Sequence, residues 1–256
     1  NIGKIMNYNF IKLFSFRKCS DTITGHFNTF LKSNEKDHHI YQIEHGDYHS
    51  AEGLNKEYNY ILKIVLNDRD IEKFKTTIKN EYEKLLGNVK SSLKNEEILS
   101  FEYESNQQLT KQSIQQKSTI NHVVFLPFKE NCSEKDINNA FSLLTNLFNT
   151  MEGISSFCYG KVKHTLSDKE YVFEMNFTNE INRDNYLKNE EHIKVAELII
   201  PLLKDGENSI IAFDYLLSNN SKISLNLPSN VLFSPKIETE SVDNSQSNCS
   251  TDNLKI

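Results

Sequence analysis

The sequence predicts an α+β fold in which the order β-α-β-β-α-β occurs twice, with the two sheets facing each other inside one chain. Three observations carry this. First, markers recur at a nearly constant offset: Phe16 and Phe128 are 112 residues apart, Gly46 and Gly160 are 114 apart, and Phe101-Glu102-Tyr103 returns 112 residues later as Phe213-Asp214-Tyr215. Self-similarity in the same order marks a repeated unit. Second, each half alternates between helical and period-two hydrophobic patterns in the same sequence. Third, 256 residues suffice for two domains of roughly 100 residues each. A sheet with helices on one face and apolar residues on the other still needs a cover, and the sister sheet supplies it. The units are placed at 5–105 and 119–218, with a linker at 106–118 and a disordered tail at 219–256.

In the first unit the segment YNFIKLFSF ends at Phe16 as the opening strand. Ser20 and Asp21 then start a helix whose apolar face is Ile23, Phe27, Phe30 and Leu31. Tyr58, Tyr60, Leu62, Ile64 and Leu66 alternate as a strand. A second helix carries Ile71, Phe74, Ile78 and Leu85, and a last strand covers 98–103. The segment Glu104–Thr119 is Gln/Ser-rich and aperiodic, as a linker is.

The second unit repeats this order. Val123–Leu126 is β-branched and apolar, which suits a buried strand. Ser133 caps a helix with Ile137, Ala140, Phe141, Leu144, Leu147 and Phe148 on one face. Tyr171, Phe173, Met175 and Phe177 alternate with Val172, Glu174 and Asn176. One helix with Ile193, Ala196, Ile199 and Leu203 inward is expected next, broken near its end by Pro201. Ile210–Leu216 is the closing strand. Each unit is thus ferredoxin-like. After Leu217 the chain turns Ser/Asn-rich, with too little apolar surface to offset ordering entropy.

Composition narrows the function classes. The net charge is −6, with 35 acidic and 29 basic residues, which opposes nucleic-acid binding. The aromatic strand EYVFEMNF lacks the basic-glycine start of an RNA-recognition strand. No apolar run reaches the ~18 residues of a membrane span. Cysteines 19, 132, 158 and 249 form no CxxC pair, which fits reduced thiols and a cytoplasmic chain. His38, His39, His45 and His49 cluster near Asp37, Glu44 and Asp47, but the spacing matches no standard metal site, so a polar loop and no metal are expected.

The second unit also carries the pieces HVVFLPF at 122–128, CYGK at 158–161, EYVFEMNF at 170–177, YLKNEEH at 186–192 and IIAFDY at 210–215. In order and spacing these resemble the stress-responsive dimeric α/β-barrel (Dabb) family. That resemblance implies a barrel made of two sheets, which a tandem copy would complete as a pseudo-dimer within one monomeric chain. It implies either a stable structural barrel or a site for a small apolar or aromatic molecule, and no cofactor. Polyketide cyclases of the family carry a Y-I-I-H-P-A-H stretch. Its outer Tyr and His match Tyr186 and His192, while the inner His-Pro is replaced by Asn189-Glu190. The resemblance therefore implies His192 as a base and Tyr186 as a hydrogen-bond donor in a cofactor-free ring closure. It adds His122 on the first strand and Asp214 on the last as ligand-binding groups. Read by residue type alone, Tyr186 and His192 are helix-surface or loop residues, His122 a satisfied core or rim histidine, and Asp214 a solvated strand residue. In the first unit the positions equivalent to His122, Tyr186 and His192 are Phe10, Phe74 and Asn80, so that unit is expected to be a structural half-barrel.

Overall fold

The computed structural model describes residues 7–35, 40–50, 52–67, 71–94, 97–105, 109–111, 118–163, 165, 167–217 and 222–224. The first half runs β1 (Asn7–Phe14), α1 (Asp21–Ser33), β2 (Ile40–Asp47), β3 (Tyr60–Asn67), α2 (Ile71–Val89) and β4 (Leu99–Ser105). A short β5 (Leu109–Thr110) precedes the second half. That half runs β6 (Ile120–Pro127), α3 (Glu134–Thr150), β7 (Ile154–Lys161), β8 (Glu170–Phe177), α4 (Glu180–Lys188), α5 (Glu190–Ile199) and β9 (Ile211–Leu216), followed by β10 (Lys222–Ser224). The two sheets have the orders β10-β2-β3-β1-β4 and β5-β7-β8-β6-β9, all antiparallel. This is the doubled ferredoxin-like arrangement.

Local chemistry explains the elements. Ser20 Oγ accepts from the Ile23 amide and Ser133 Oγ from the Asp136 amide, so both first helices start at their expected caps. Ile23, Phe27, Phe30 and Leu31 are buried on α1, and all six apolar positions named on α3 are buried. Three layers of core result. One lies between each sheet and its helices, and the third lies between the sheets, built on Ile11, Ile61, Phe101, Val123, Val172 and Phe213.

The recurrent glycines mark where the barrel closes. A Cβ on Gly160 would collide with the Glu104 carbonyl oxygen, and one on Gly46 would lie 3.2 Å from Tyr215 Cβ. β7 thus abuts β4 of the other sheet, and β2 abuts β9, with bridges Tyr103–Val162 and Tyr48–Tyr215 sealing the two seams.

The structure differs from the sequence reading at three places. The helix expected around Ile193 is two helices, α4 and α5, broken at Asn189. That residue's backbone N–H donates to the Tyr186 carbonyl (3.1 Å) while its side chain accepts from the Glu191 amide (2.8 Å). It ends one helix and caps the next. As a result Val195 and Ile199 face the core, and Ile193 is exposed. Pro201 lies in the 3-10 turn Ile200–Leu202 that finishes α5. Second, β5 falls within the segment read as linker, its residues pairing with Phe157 and Ser156. Third, β10 falls within the segment read as disordered tail, pairing with Glu44, Ile43 and Gln42. Each strand satisfies an otherwise open sheet edge. Cys249 with the rest of the tail, linker positions 106–108 and 112–117, Asp37, His38, His39 and the Phe74 side chain lie outside what is described. No helix among the described residues is long and apolar enough to cross a membrane.

Candidate functional site

Along β6 side chains alternate, so Asn121 and Val123 face the sister sheet while His122 and Val124 face the helices. Along β9, Asp214 shares the helix side with Ala212. Register places His122 opposite Asp214 on adjacent strands. His122 Nδ1 lies 2.5 Å from Asp214 Oδ1, and both side chains are buried. The other Asp214 oxygen accepts from the Arg183 guanidinium. Arg183 is buried on α4 one turn before Tyr186, and also donates to Asp184 Oδ1 at 2.7 Å and to the His49 carbonyl at 2.9 Å. An imidazole, a carboxylate and a guanidinium therefore form one chain beneath the α4–α5 corner.

Tyr186 and His192 sit on that corner. Asn189 turns the chain so that their rings approach to 4.2 Å, and the Tyr186 ring stands 6.0 Å from His122 and 5.2 Å from Phe177. Tyr186 is fully buried, and its hydroxyl has no hydrogen-bond partner among the described residues. All four residues singled out in the sequence thus converge. The helix-surface reading of Tyr186 and the solvated-strand reading of Asp214 are corrected, since both are buried.

The first unit also reaches this cluster. From the β2–β3 connection, Tyr48, His49, Glu52 and Leu54 lie against the second unit. The His49 amide donates to the Asp214 carbonyl (2.8 Å), and the Ala212 amide donates to the Leu54 carbonyl (3.2 Å). The His49 imidazole pairs with Glu180 on α4. Glu52, partly buried, then reaches 3.8 Å from His122 Nδ1.

The electrostatics follow from this packing. Burial alone would lower the His122 imidazole, but the Asp214 and Glu52 carboxylates outweigh it and hold its pKa above the ordinary value. Burial alone would raise Asp214, but His122 and Arg183 outweigh it and hold its carboxyl below the ordinary value. Glu52 is pushed up, chiefly by burial. His192 is pushed down to about 4 by burial and by the neighbouring His122, so it is neutral near pH 7. Its Nδ1 faces the Leu187 carbonyl at 3.4 Å, which puts the ring proton there and leaves Nε2 as an acceptor. Tyr186 is raised by burial and by the Glu52 and Asp214 charges, so it stays a protonated donor.

Glu52, His122 and Asp214 each offer one ligand atom within 4.8 Å of the others. A cation entering there would have to displace the His122 proton and would meet the Arg183 guanidinium, so the charge pattern fits a hydrogen-bonded relay better than a metal site. Among the described residues, the histidine cluster around 45 does not converge. His45 faces the helices, where it contacts Tyr60 Oη (2.8 Å) and Asn28 Oδ1 (3.1 Å), while the next residue back, Glu44, faces the sister sheet and accepts from Tyr215 Oη. The described cysteines 19, 132 and 158 are unpaired.

Sequence reasoning missed Arg183 and Glu52. Arg183 carries a usable signal: it is one of three arginines in a lysine-rich chain and lies three residues before Tyr186. Arginine is the residue suited to a buried ion pair. Glu52 sits in an aperiodic connection of the other unit, and only the three-dimensional packing reveals it.

Residues 120–217 match the family described as Stress responsive A/B Barrel Domain, so the second unit is such a domain. No curated protein matches the chain by sequence. Among solved structures, a candidate monooxygenase from Lactobacillus acidophilus is similar at a TM-score of 0.55 and 15% identity, over 86% of this chain and 100% of its own. An anthrone oxidase-like protein is similar at 0.61 and 10% identity, over 85% and 93%. A candidate monooxygenase from Fusobacterium nucleatum is similar at 0.57 and 12%, over 88% and 99%. Coverage of this extent takes in both sheets, so each of those chains spans the doubled arrangement. At such identities the likeness concerns the fold.

Proposed function

We propose that the stress-responsive A/B barrel domain at 120–217 binds a small, largely apolar or aromatic molecule between its sheet and the α4–α5 corner. The bound molecule presents an oxygen to Tyr186. The observation that carries this reading is the Tyr186 hydroxyl: fully buried, without a partner among the described residues, and walled by His122, His192 and Phe177. A buried donor left unmade is costly, and a ligand oxygen would satisfy it. The aromatic walls favour a flat apolar body, and neutral His192 offers an acceptor for a ligand hydroxyl. The first unit closes the site with Glu52.

The test is ligand-observed NMR of the full chain with a panel of phenols and 1,3-diketones. Binding by at least one probe class, weakened about tenfold in Tyr186→Phe, is the expected result. No binding, or equal binding by the variant, removes the reading.

A second reading is cofactor-free ring closure through the same residues. The proximity of a protonated tyrosine and a neutral histidine favours it. His192 would remove a proton from the carbon between two carbonyls, and Tyr186 would hold the enolate oxygen. Its lowered pKa makes His192 a weak base, which ranks this reading second. Exchange of the central C–H of a bound 1,3-diketone into D2O, lost in His192→Ala, would support it. Exchange unchanged in that variant would dismiss it.

A further inference from the structure

A charged network crosses the barrel interior and takes no part in the site above. Lys63 on β3 pairs with Glu174 on β8, one residue from each sheet, and both side chains are buried. Glu174 also accepts from Tyr103 Oη on the first sheet and from Asn121 Nδ2 (3.1 Å) on its own. Asn121 Nδ2 also reaches Tyr215 Oη (2.7 Å), and Tyr215 donates to Glu44 Oε2 (2.7 Å) across the interface. Lys63 is the one cation here among the described residues. Burial alone would lower it, but Glu174 and Glu44 hold it above its ordinary value, so it stays charged.

Strand register shows that Lys63 and Glu174 are the same position of the repeat. Lys63 pairs with Ile11 on the first strand of its unit, and Glu174 pairs with Val123 on the first strand of its own. Ile11 and Val123 are 112 residues apart, the offset of the repeat. By the same register Glu44 corresponds to Cys158, and Tyr103 to Tyr215. Equivalent residues that touch each other lie on the pseudo-twofold axis relating the two sheets.

We infer that the barrel face of the second unit is specified for a sheet carrying a cation on this axis, the first unit of this chain, and rejects a second copy of itself. Two second units paired symmetrically would place Glu174 against Glu174 in a dry interior. Two first units would place Lys63 against Lys63, with Glu44 beside each. Like charges buried in contact are far costlier than the mixed pair. The divergence of one repeat position into opposite charges makes the units partners of each other and not of themselves.

The sign of the charge tests this. In the full chain, Lys63→Glu reproduces the like-charge axis and Lys63→Gln merely removes the cation. Lys63→Glu is expected to melt roughly 10 °C below wild type and well below Lys63→Gln, and adding Glu174→Gln is expected to recover a large part of the loss. Equal melting of Lys63→Glu and Lys63→Gln would overturn the inference. Partner choice is read directly by placing a protease site at 112–117 and examining the cleaved protein by native mass spectrometry. A one-to-one complex of the two pieces is expected. Paired second units, or separated pieces, would count against it.

Discussion

Replacing Asp214 by Asn should be among the most damaging single changes in the second unit, and its cost should depend on pH in a specific way. Asp214 is fully buried and takes charged hydrogen bonds on both oxygens, from His122 at 2.5 Å and from Arg183. The Asn amide would turn a donor toward one of these two donors. A hydrogen bond to a charged group contributes about 1.5–3 kcal/mol, so two give roughly 3–6 kcal/mol. Breaking a buried ion pair costs about 3–5 kcal/mol by a separate route, in agreement. At about 2–4 °C per kcal/mol for a chain of this size, the melting temperature should fall by roughly 10 °C or more. The pH dependence has a definite sign. His122 is raised above 6.5, so its contribution is full below pH 6.5 and is lost as pH rises through the folded value. Asp214 is lowered below 3.8, so its contribution is full above pH 3.8 and is lost as pH falls. The wild-type advantage over Asp214→Asn should therefore peak between those two pH values and shrink on either side. Urea unfolding of both proteins across about pH 2–9 measures it. A difference under about 1 kcal/mol, or one that is flat with pH, would refute the relay.

Three further outcomes are expected. Tyr186→Phe removes a buried hydroxyl that has no partner among the described residues, so it should leave stability unchanged or raise it by about 1 kcal/mol; a loss of that size in a urea melt would show that the hydroxyl is bonded. Gly160→Ala drives a Cβ onto the Glu104 carbonyl and should cost on the order of 1–3 kcal/mol or more, while Gly46→Ala, whose Cβ would stand 3.2 Å from Tyr215 Cβ and so needs a shift of only a few tenths of an ångström, should cost less; equal melting of the two variants would contradict the seam geometry. His45, lowered to about 4 by burial, contributes stability that is full above pH 6.5 and is lost as pH falls toward 4, roughly 3 kcal/mol in all. His45→Gln should lose that part of the acid dependence, and an unchanged dependence would mean the imidazole titrates normally.

The repeat was legible because its markers have physical causes. Gly46 and Gly160 recur where one sheet's backbone crosses the other closely, and β3 and β8 are recognisable because apolar residues run along them on both buried faces. The four resemblance-derived site residues were legible through a local motif and its spacing. What was not legible depends on packing. Asn189 reads as one residue of a helical stretch until its two capping bonds divide that stretch, and Ile193 then turns outward. Lys63 and Glu174 read as ordinary polar members of alternating strands. Nothing in one sequence says that they meet, or that Glu52 crosses from its own unit to the neighbouring site.

The two short edge strands also bear on how the molecule opens. β5 follows the first unit yet extends the second sheet, and β10 follows the second unit yet extends the first. Each half therefore holds a piece of chain that must be released before the other can come apart. Breathing of one half cannot stay local, because it strips an edge from its neighbour. Amide exchange in β2 and β7, the strands that receive these edges, should slow together and open together, so that the doubled barrel unfolds in one cooperative step.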